Sequence, residues 1–373
     1  MSRRRVIVVG AGPGGLTAAA RLRERGGERV DVSLVAPGAC ATFLAGTLDV
    51  LAGGAAPETF SVPVRLDRVS VTPAAATEVS ADGVVVDGRR LAADAVIAAP
   101  GLALGEIPAG LRGRAVAAWS PQGAGIARAQ LPEITTGSLL IAACSAPYRC
   151  PPAPFALAVR LAEQHFRARH MVRVTVATPE PVPLAGVGGD APSLVMDACA
   201  GARVRVEPGF AVDLEASADG SLRARDGRVL NYDAALLIPS HVRSPCLAGL
   251  PGEGPLVAVG ERGAVDGTRL YVVGDAAGTG LPRAAGVATA SAAAAADGAL
   301  EALDIAPAPA APRVEAACFM FHYGGAVSRI RVAYDPEGAH VEIDGPSLDL
   351  PPAREGERRR FMRLAGWRDT PGA

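Results

Sequence analysis

The sequence predicts an α/β fold with two parallel-sheet domains and a small C-terminal α+β domain. An apolar strand at 6–9 runs into a glycine-rich turn and an alanine-rich helix, and a second apolar strand follows at 30–35. Another strand–helix–strand unit spans 138–177, and repeated units of this kind build parallel sheets. An alanine- and proline-rich linker at 305–312 then precedes two further short strands.

Length and composition limit the classes of protein that fit. The 373 residues suffice for two or three domains. Apolar residues make up 49% and charged residues 20%, so the chain can bury a sizeable core. The net charge of -1 argues against a nucleic-acid partner, which would require a basic excess. All 37 residues counted as lysine or arginine are arginine, which excludes chemistry that depends on lysine.

The N-terminal segment and the cysteines favour the cytoplasm. Three arginines at 3–5 lead directly into the first strand, without the apolar stretch and cleavage site of a signal peptide. No run of about 18 strongly apolar residues occurs, so no membrane-spanning helix is expected. Six cysteines are too few for a disulfide scaffold in a chain of this length. We therefore expect a cytoplasmic protein whose cysteines are catalytic or buried.

The first turn carries the pattern G-x-G-x-x-G at Gly10, Gly12 and Gly15, with Pro13 and Gly14 inside it. The first glycine permits a tight turn, the second lets the backbone approach a pyrophosphate, and the third allows the helix to pack closely on the strand. The N-terminus of the helix offers N–H groups to the phosphates. The pattern therefore predicts a dinucleotide site.

Two later segments extend this site. A strand at 94–99 runs into Pro100 and Gly101, and a strand at 270–273 ends in Gly274 and Asp275. Together with the first turn they resemble the three-part FAD signature of flavoproteins with two dinucleotide-binding domains. That resemblance implies FAD as the cofactor and a ribityl hydroxyl bound to Asp275. Ala36 stands where an acidic residue usually holds a ribose, so we expect a ribose contact through the backbone or none.

The mid-chain unit lacks the corresponding phosphate turn. After the strand at 138–143, residues 144–155 contain no glycine and four prolines, which keeps a pyrophosphate away from the backbone. Glu180 follows the next strand and could mimic a ribose-binding acid. We predict a Rossmann-like second domain that has lost nicotinamide binding, so that the electron donor is not NAD(P)H. Paired-cysteine disulfide reductases are also disfavoured, because the region after the second strand holds only Cys40.

Cys150 is the first candidate for a reactive residue. It precedes Pro151 and Pro152, and proline is favoured in the first turn of a helix. A thiol at or near a helix N-cap has its thiolate stabilised by the free N–H groups and the dipole. The alternative is an inert, buried cysteine at the start of a helix.

The segment 147–155 resembles the active-site cysteine segment of two related groups of flavoproteins. These are the flavoprotein subunit of flavocytochrome c sulfide dehydrogenase and the sulfide:quinone oxidoreductases. Residues 280–290 are similar to that family's L-P-K-A-G-V stretch, with Arg283 in place of lysine as a cation that could stabilise reduced flavin. In the family a helix N-terminus here, at Gly286 and Val287, faces the flavin. The second redox cysteine of the family corresponds to Cys318.

This resemblance implies an FAD-dependent oxidoreductase. Sulfide or a small thiol would be oxidised through Cys150 and Cys318, and the electrons would pass via FAD to a quinone or a protein acceptor. The implied cofactor-binding residues are Gly10, Gly12, Pro13, Gly14, Gly15, Ala36, Ala99, Gly101, Gly274, Asp275, Arg283, Gly286 and Val287. Two alternatives stay open: a flavin-dependent dehydrogenase or oxidase of a specialised metabolite with relict cysteines, and a flavin electron-transfer partner without substrate chemistry.

Two further residues, a histidine and a cysteine, each have two possible roles. His241 follows a strand near the domain interface, and it is either an active-site acid or base or a structural loop residue. Cys144 is either a third thiol or inert packing at the end of a buried strand. Cysteines and histidines do not cluster with metal-ligand spacing, so no metal is expected.

The predicted organisation is two Rossmann-like dinucleotide-binding domains followed by a small domain. Residues 1–110 and 255–305 form a split FAD-binding domain, 111–254 the inserted second domain, and 313–373 the C-terminal domain. The C-terminal segment is basic, with Phe361, Leu364 and Trp367 interleaved. Such a segment predicts either peripheral contact with a membrane surface or docking on the protein or a partner subunit. A homodimer is left open.

Overall fold

The computed structural model describes residues 3–367. Its helices are α1 (Pro13–Gly26), α2 (Thr47–Gly53), α3 (Pro121–Gln130), α4 (Ala153–Arg167), α5 (Ala191–Gly201), α6 (Ala285–Ala302) and α7 (Pro351–Leu364). Its strands are β1 (Arg4–Val9), β2 (Val30–Val35), β3 (Cys40–Thr42), β4 (Ser61–Pro63), β5 (Val69–Thr72), β6 (Ala76–Ser80), β7 (Gly83–Val86), β8 (Arg89–Ala92), β9 (Ala95–Ala98), β10 (Ala103–Leu104), β11 (Ala115–Ala117), β12 (Thr136–Ala143), β13 (Met171–Ala177), β14 (Arg205–Glu207), β15 (Val212–Ala218), β16 (Ser221–Ala224), β17 (Val229–Asn231), β18 (Ala234–Ile238), β19 (His241–Val242), β20 (Leu270–Val272), β21 (Val314–Phe321), β22 (Val327–Asp335) and β23 (Gly338–Ser347).

The first parallel sheet has the strand order β20-β9-β1-β2-β5. Its central strand β1 is apolar on both faces because both are covered. Val6 and Val8 join a core formed with α1 and α6, whereas Ile7 and Val9 face a core shared with the antiparallel sheet β6-β7-β8. β20 enters this sheet after all the strands of the second sheet, so two separate segments of the chain build it.

The second parallel sheet has the order β11-β18-β12-β13-β14. Leu139 and Ile141 of β12 pack with Phe155 and Leu157 of α4, and the opposite face packs with the residues of a small antiparallel sheet, β15-β16-β17. The prediction of an α/β fold with two Rossmann-like sheets is therefore confirmed. The exact domain boundaries stay a prediction.

The C-terminal part covers both domains. Strands β21, β22 and β23 form an antiparallel sheet, and Met320, Ile330 and Val332 from its inner face join the core that contains α4. Helix α7 follows and packs on the first domain through Phe361, which is 4% exposed. Strand β21 thus packs on α4 of the second domain.

The end of α7 is fixed to its own chain. The indole Nε1 of Trp367 donates to the Pro63 carbonyl oxygen at 2.8 Å, and the Arg65 guanidinium lies 4.2 Å from the Trp367 ring centroid. Phe361 and Trp367 therefore contact the protein, which is one of the two outcomes expected for them. None of the helices within residues 3–367 has the length and apolarity to span a bilayer. Contact with a membrane surface stays a prediction.

Candidate active site

The glycine turn opens a cradle at the N-terminus of α1. A Cβ at Gly15 would lie 1.8 Å from the Gly10 carbonyl oxygen, and a Cβ at Gly10 would lie 2.3 Å from the Ala99 carbonyl oxygen. These two glycines are therefore required by close backbone packing. Gly12 differs, because a Cβ there would meet nothing within 4 Å. The free space above Gly12, next to helix N–H groups, fits a pyrophosphate.

The other dinucleotide residues gather at the same edge of the first sheet. Parallel strands present their carboxyl ends together, so Ala36 after β2, Gly101 after β9 and Gly274 after β20 lie along one line. Pro13 occupies the first turn of α1. A Cβ on Gly14 would contact Ala99 at 3.5 Å and the Ala288 carbonyl oxygen at 3.4 Å, so α1 and α6 begin side by side.

Arg283, which is buried, and Arg149, which is partly buried, flank Asp275. Burial raises the pKa of the Asp275 carboxyl, and Arg149 and Arg283 oppose that rise. Burial likewise lowers the pKa of each arginine, with Asp275 acting in the opposite direction. Within residues 3–367 the Asp275 carboxylate accepts no hydrogen bond, and Arg283 Nε is buried without a partner. Unpaired buried groups of this kind are suited to the hydroxyl and carbonyl groups of a flavin.

The N-terminus of α6 also contacts the C-terminal sheet. A Cβ on Gly286 would lie 2.0 Å from the Glu315 carbonyl oxygen of β21. Gly286 was expected beside the flavin, and the structure shows that its α-carbon faces β21. Val287 is 4% exposed and packs within the protein. The strand that carries Cys318 is therefore pressed against the helix that borders the cofactor cradle.

Cys150 and Cys318 meet between the second domain and the C-terminal sheet. Cys150 lies two residues before Pro152, the N-cap of α4, and not at the N-cap itself. Its thiol contacts that of Cys318 on β21, and neither cysteine forms a disulfide. The hydrogen bond to Cys150 and burial raise the pKa of Cys318 well above its usual value. Chemically, two thiols in contact can form and break a disulfide.

A small apolar pocket lies beside Cys318. Pro151 and Pro152 at the start of α4, Leu184 and Val187 from the loop after β13, and Ile330, Val332 and Tyr334 from β22 line it together with other residues. Burial, and then the nearby Cys318, raise the pKa of the Tyr334 hydroxyl to about 12. The pocket thus presents one sulfur in apolar surroundings and suits a small, weakly polar reactant.

The position of a second dinucleotide site is occupied by the protein's own side chains. The Tyr148 hydroxyl donates to Glu180 Oε2 at 2.7 Å, and Thr178 Oγ1 lies 3.3 Å from the same oxygen. Burial and Glu180 raise the pKa of Tyr148 well above its usual value. Glu180, the acid that could have held a ribose, is therefore already bound to Tyr148, which belongs to the segment in place of a phosphate turn.

His241 is buried and lies behind the cysteine loop. Its Nε2 accepts the Arg149 backbone N–H at 3.3 Å, and its Nδ1 lies 3.2 Å from the Pro239 carbonyl oxygen. Burial, and then Arg149, lower its pKa to about 4. A neutral ring with both nitrogens engaged favours the structural alternative over the acid–base one. Burial also raises the pKa of Cys144 to about 12, as expected for inert packing.

The structure also shows one surface cluster of side chains that could bind a metal ion, which was not expected from the sequence. Asp335, Glu337 and His340 come together at the exposed turn between β22 and β23. Asp335 already accepts the backbone N–H groups of Glu337 and Gly338 and pairs with His340 Nε2 at 2.7 Å. These contacts explain the cluster as part of the turn.

Comparison with known proteins agrees with this geometry. A family model described as pyridine nucleotide-disulphide oxidoreductase matches residues 4–125. The fold is similar to the sulfide:quinone oxidoreductase of the hyperthermophilic bacterium Aquifex aeolicus, with a TM-score of 0.80 at 18% identity over 97% of this chain and 91% of that one. The chain therefore shares the fold of these pyridine nucleotide-disulphide oxidoreductases.

Two electron-transfer reductases share this oxidoreductase fold at lower similarity. The covalent putidaredoxin reductase–putidaredoxin complex gives a TM-score of 0.65 at 16% identity over 100% of this chain and 97% of that one. The ferredoxin reductase for the CYP199A2 system from Rhodopseudomonas palustris gives 0.65 at 14% identity over 89% of this chain and 82% of that one. By sequence, no curated protein matches the chain. The resemblance inferred from the sequence is thus confirmed at the level of fold.

Two residues of the site escaped the sequence analysis. Trp119 follows β11 and donates its indole N–H to the Arg149 carbonyl oxygen at 3.1 Å. Arg149 was part of the cysteine segment but had no assigned role, and it approaches Asp275 and donates to the Trp119 carbonyl oxygen at 3.0 Å. For Arg149, a basic residue next to a candidate reactive cysteine was an available signal. For Trp119, the local sequence offered none.

Proposed function

We propose that this protein is an FAD-dependent oxidoreductase that oxidises sulfide or a small thiol through Cys150 and Cys318. The contact between these two thiols, which pack against the same core beside the pocket that Cys318 lines, carries the proposal. They belong to different domains and are far apart in the sequence, so the fold of the C-terminal sheet onto the second domain brings them together. This contact favours the thiol-oxidising function over the metabolite dehydrogenase and over a flavin protein without substrate chemistry.

The reaction begins from a Cys150–Cys318 disulfide. Cys318 faces the small pocket, so sulfide attacks its sulfur, the S–S bond breaks, and Cys150 leaves as a thiolate. Cys318 then carries a persulfide. A second sulfide or a small thiol accepts the outer sulfur, which leaves both cysteines reduced. Re-forming the disulfide from two thiols releases two electrons and two protons.

FAD would be held by the glycine turn of α1, by Asp275 and by the N-terminus of α6. When bound, FAD supplies a two-electron acceptor next to the cysteine pair. Arg149 and Arg283 contribute positive charge close to Asp275, and this charge would favour an electron-rich cofactor. The Arg283 carbonyl oxygen also accepts the Cys150 N–H at 2.9 Å, which connects the two parts of the site.

The final electron acceptor would be a quinone or a redox protein. The similar folds include an enzyme named for quinone reduction and a reductase bound to its protein partner. Nicotinamide cofactors are disfavoured as donors, because Tyr148 and Glu180 occupy the corresponding position. We propose the cytoplasm as the location.

Anaerobic titration of the purified holoprotein tests this function. Sulfide should bleach the flavin absorbance, whereas NADH and NADPH should be poor reductants. Cys150→Ser and Cys318→Ser should each abolish bleaching by sulfide with FAD still bound, and the double variant should be no worse, because residues that act as a unit fail together. Cys199→Ser in α5 is the matched control. Full bleaching in the double variant, or rapid bleaching by NADH, would overturn the proposal.

A further inference from the structure

Cys150 adopts a backbone conformation that its own sequence does not favour. Its φ is +55°, in the left-handed region that non-glycine residues rarely occupy. The following Pro151 pushes its predecessor toward extended geometry, so the local preference is different again. Such a conformation persists only where the surroundings hold it.

The surroundings engage every backbone polar group of Arg149 and Cys150. His241 Nε2 accepts the Arg149 N–H at 3.3 Å, and Trp119 Nε1 donates to the Arg149 carbonyl oxygen at 3.1 Å. The Arg283 carbonyl oxygen accepts the Cys150 N–H at 2.9 Å, and the Ala153 N–H donates to the Cys150 carbonyl oxygen at 2.9 Å. The peptide groups on both sides of the thiol are therefore fixed.

These partners are brought together by the topology of the second sheet. Trp119 follows β11 and His241 follows β18. β18 lies between β11 and β12, and the carboxyl end of β12 begins the cysteine loop. Trp119 is 5% exposed and His241 is 4% exposed. Two neighbouring strand ends therefore direct the buried polar atoms of Trp119 and His241 at the dipeptide Arg149–Cys150.

We propose that Trp119 and His241, with the Arg283 carbonyl group, form a clamp that positions the Cys150 thiol against Cys318. Trp119 and His241 are positioning residues, since their hydrogen bonds hold the backbone of the dipeptide. The clamp deepens the proposed function and rests on it, because its purpose is to keep a reactive thiol in place. Nothing in the reaction requires either side chain to gain or lose a proton.

Alkylation of the reduced holoprotein tests the clamp without sulfide or an electron acceptor. The rate at which iodoacetamide modifies each cysteine is measured by mass spectrometry of its peptide. The Cys150 thiol is partly exposed, and each clamp bond opposes the loop opening that would give the reagent fuller access. Loss of one hydrogen bond in Trp119→Phe should raise the Cys150 rate about fivefold.

The chain offers a matched control for the tryptophan. Trp367→Phe removes the same kind of bond, from an indole N–H to the Pro63 carbonyl oxygen at 2.8 Å, at the far end of α7. This variant should leave the Cys150 rate unchanged. His241 provides a second pair of variants, because His241→Gln keeps an acceptor for the Arg149 N–H and His241→Leu does not. Only the leucine variant should raise the Cys150 rate.

Buried Cys199 reports general loosening of the fold, since it is 0% exposed. Its alkylation should be the same in all variants. The clamp is overturned if Trp119→Phe and His241→Leu leave the Cys150 rate unchanged, if Trp367→Phe raises it equally, or if Cys199 accelerates in parallel. If the variants alkylate as expected but sulfide does not reduce the flavin, the clamp stands and the proposed function is refuted.

Discussion

A methyl group on residue 286 should push β21 away from α6 and slow the redox reaction. In Gly286→Ala the new Cβ would lie 2.0 Å from the Glu315 carbonyl oxygen and 2.9 Å from the Ala316 α-carbon. Non-bonded carbon and oxygen atoms require roughly 3 Å or more, so β21 must retreat by about 1 Å. Cys318 lies two residues beyond Ala316 on the same face of the strand and moves with it. A displacement of about 1 Å between reacting groups can lower a rate about 100-fold.

The assay is the anaerobic rate of flavin bleaching by sulfide, measured with FAD content and Tm. Gly286→Ala should retain FAD, because the methyl group points at β21 and away from the cradle over Gly12. The matched control is Gly298→Ala in the same helix, where the nearest atom at 3.0 Å is Cδ of the flexible Arg262 side chain. A wild-type bleaching rate in Gly286→Ala would refute the reasoning. Loss of FAD in that variant would instead support contact between Gly286 and the cofactor.

Two further expectations follow from buried polar groups. Asp275→Ala should lower FAD occupancy, because a hydrogen bond to a buried carboxylate is worth about 1.5–3 kcal/mol, and full occupancy in that variant would contradict the assigned contact. The free energy of unfolding should fall as the pH decreases from about 6.5 to about 4, since unfolded His241 takes up a proton that the folded protein excludes. A pKa lowered from 6.5 to about 4 corresponds to about 3 kcal/mol at the acid end, and denaturant titrations of His241→Gln should lack this component of the pH dependence.

The fold was largely predictable from the sequence because residues close together in the chain determine each helix, strand and turn. The apolar stretch at 6–9 requires burial on both faces, and the glycines at 10 and 15 permit the close packing that the structure shows. The lack of glycine in residues 144–155 also predicts that this segment does not form a phosphate turn, and the loss of nicotinamide binding stays a prediction. These features depend on neighbours in the sequence, so the sequence alone carries them.

The arrangement of the site was less predictable because it depends on contacts between distant segments. The spacing of Cys150 and Cys318 contains no information about their proximity, which required a resemblance to a family. Gly286 was interpreted as a cofactor residue, which stays a prediction, and only the position of β21 revealed that it also packs on that strand. The apolar side chains of α7 indicated that the helix must cover something, but not that Phe361 would lie on the first domain.

The cysteine loop occupies the place where a Rossmann domain ordinarily binds its ligand. Ligands of parallel sheets bind beyond the carboxyl ends of the strands, because several chain segments converge there. In the second domain those strand ends deliver Trp119 after β11, His241 after β18 and the loop with Cys150 after β12. Side chains that converge on one point can bind a dinucleotide or fix a peptide group equally well. In this domain the strand ends therefore converge on the peptide groups beside a thiol, at the place where a glycine turn would let the backbone approach a pyrophosphate.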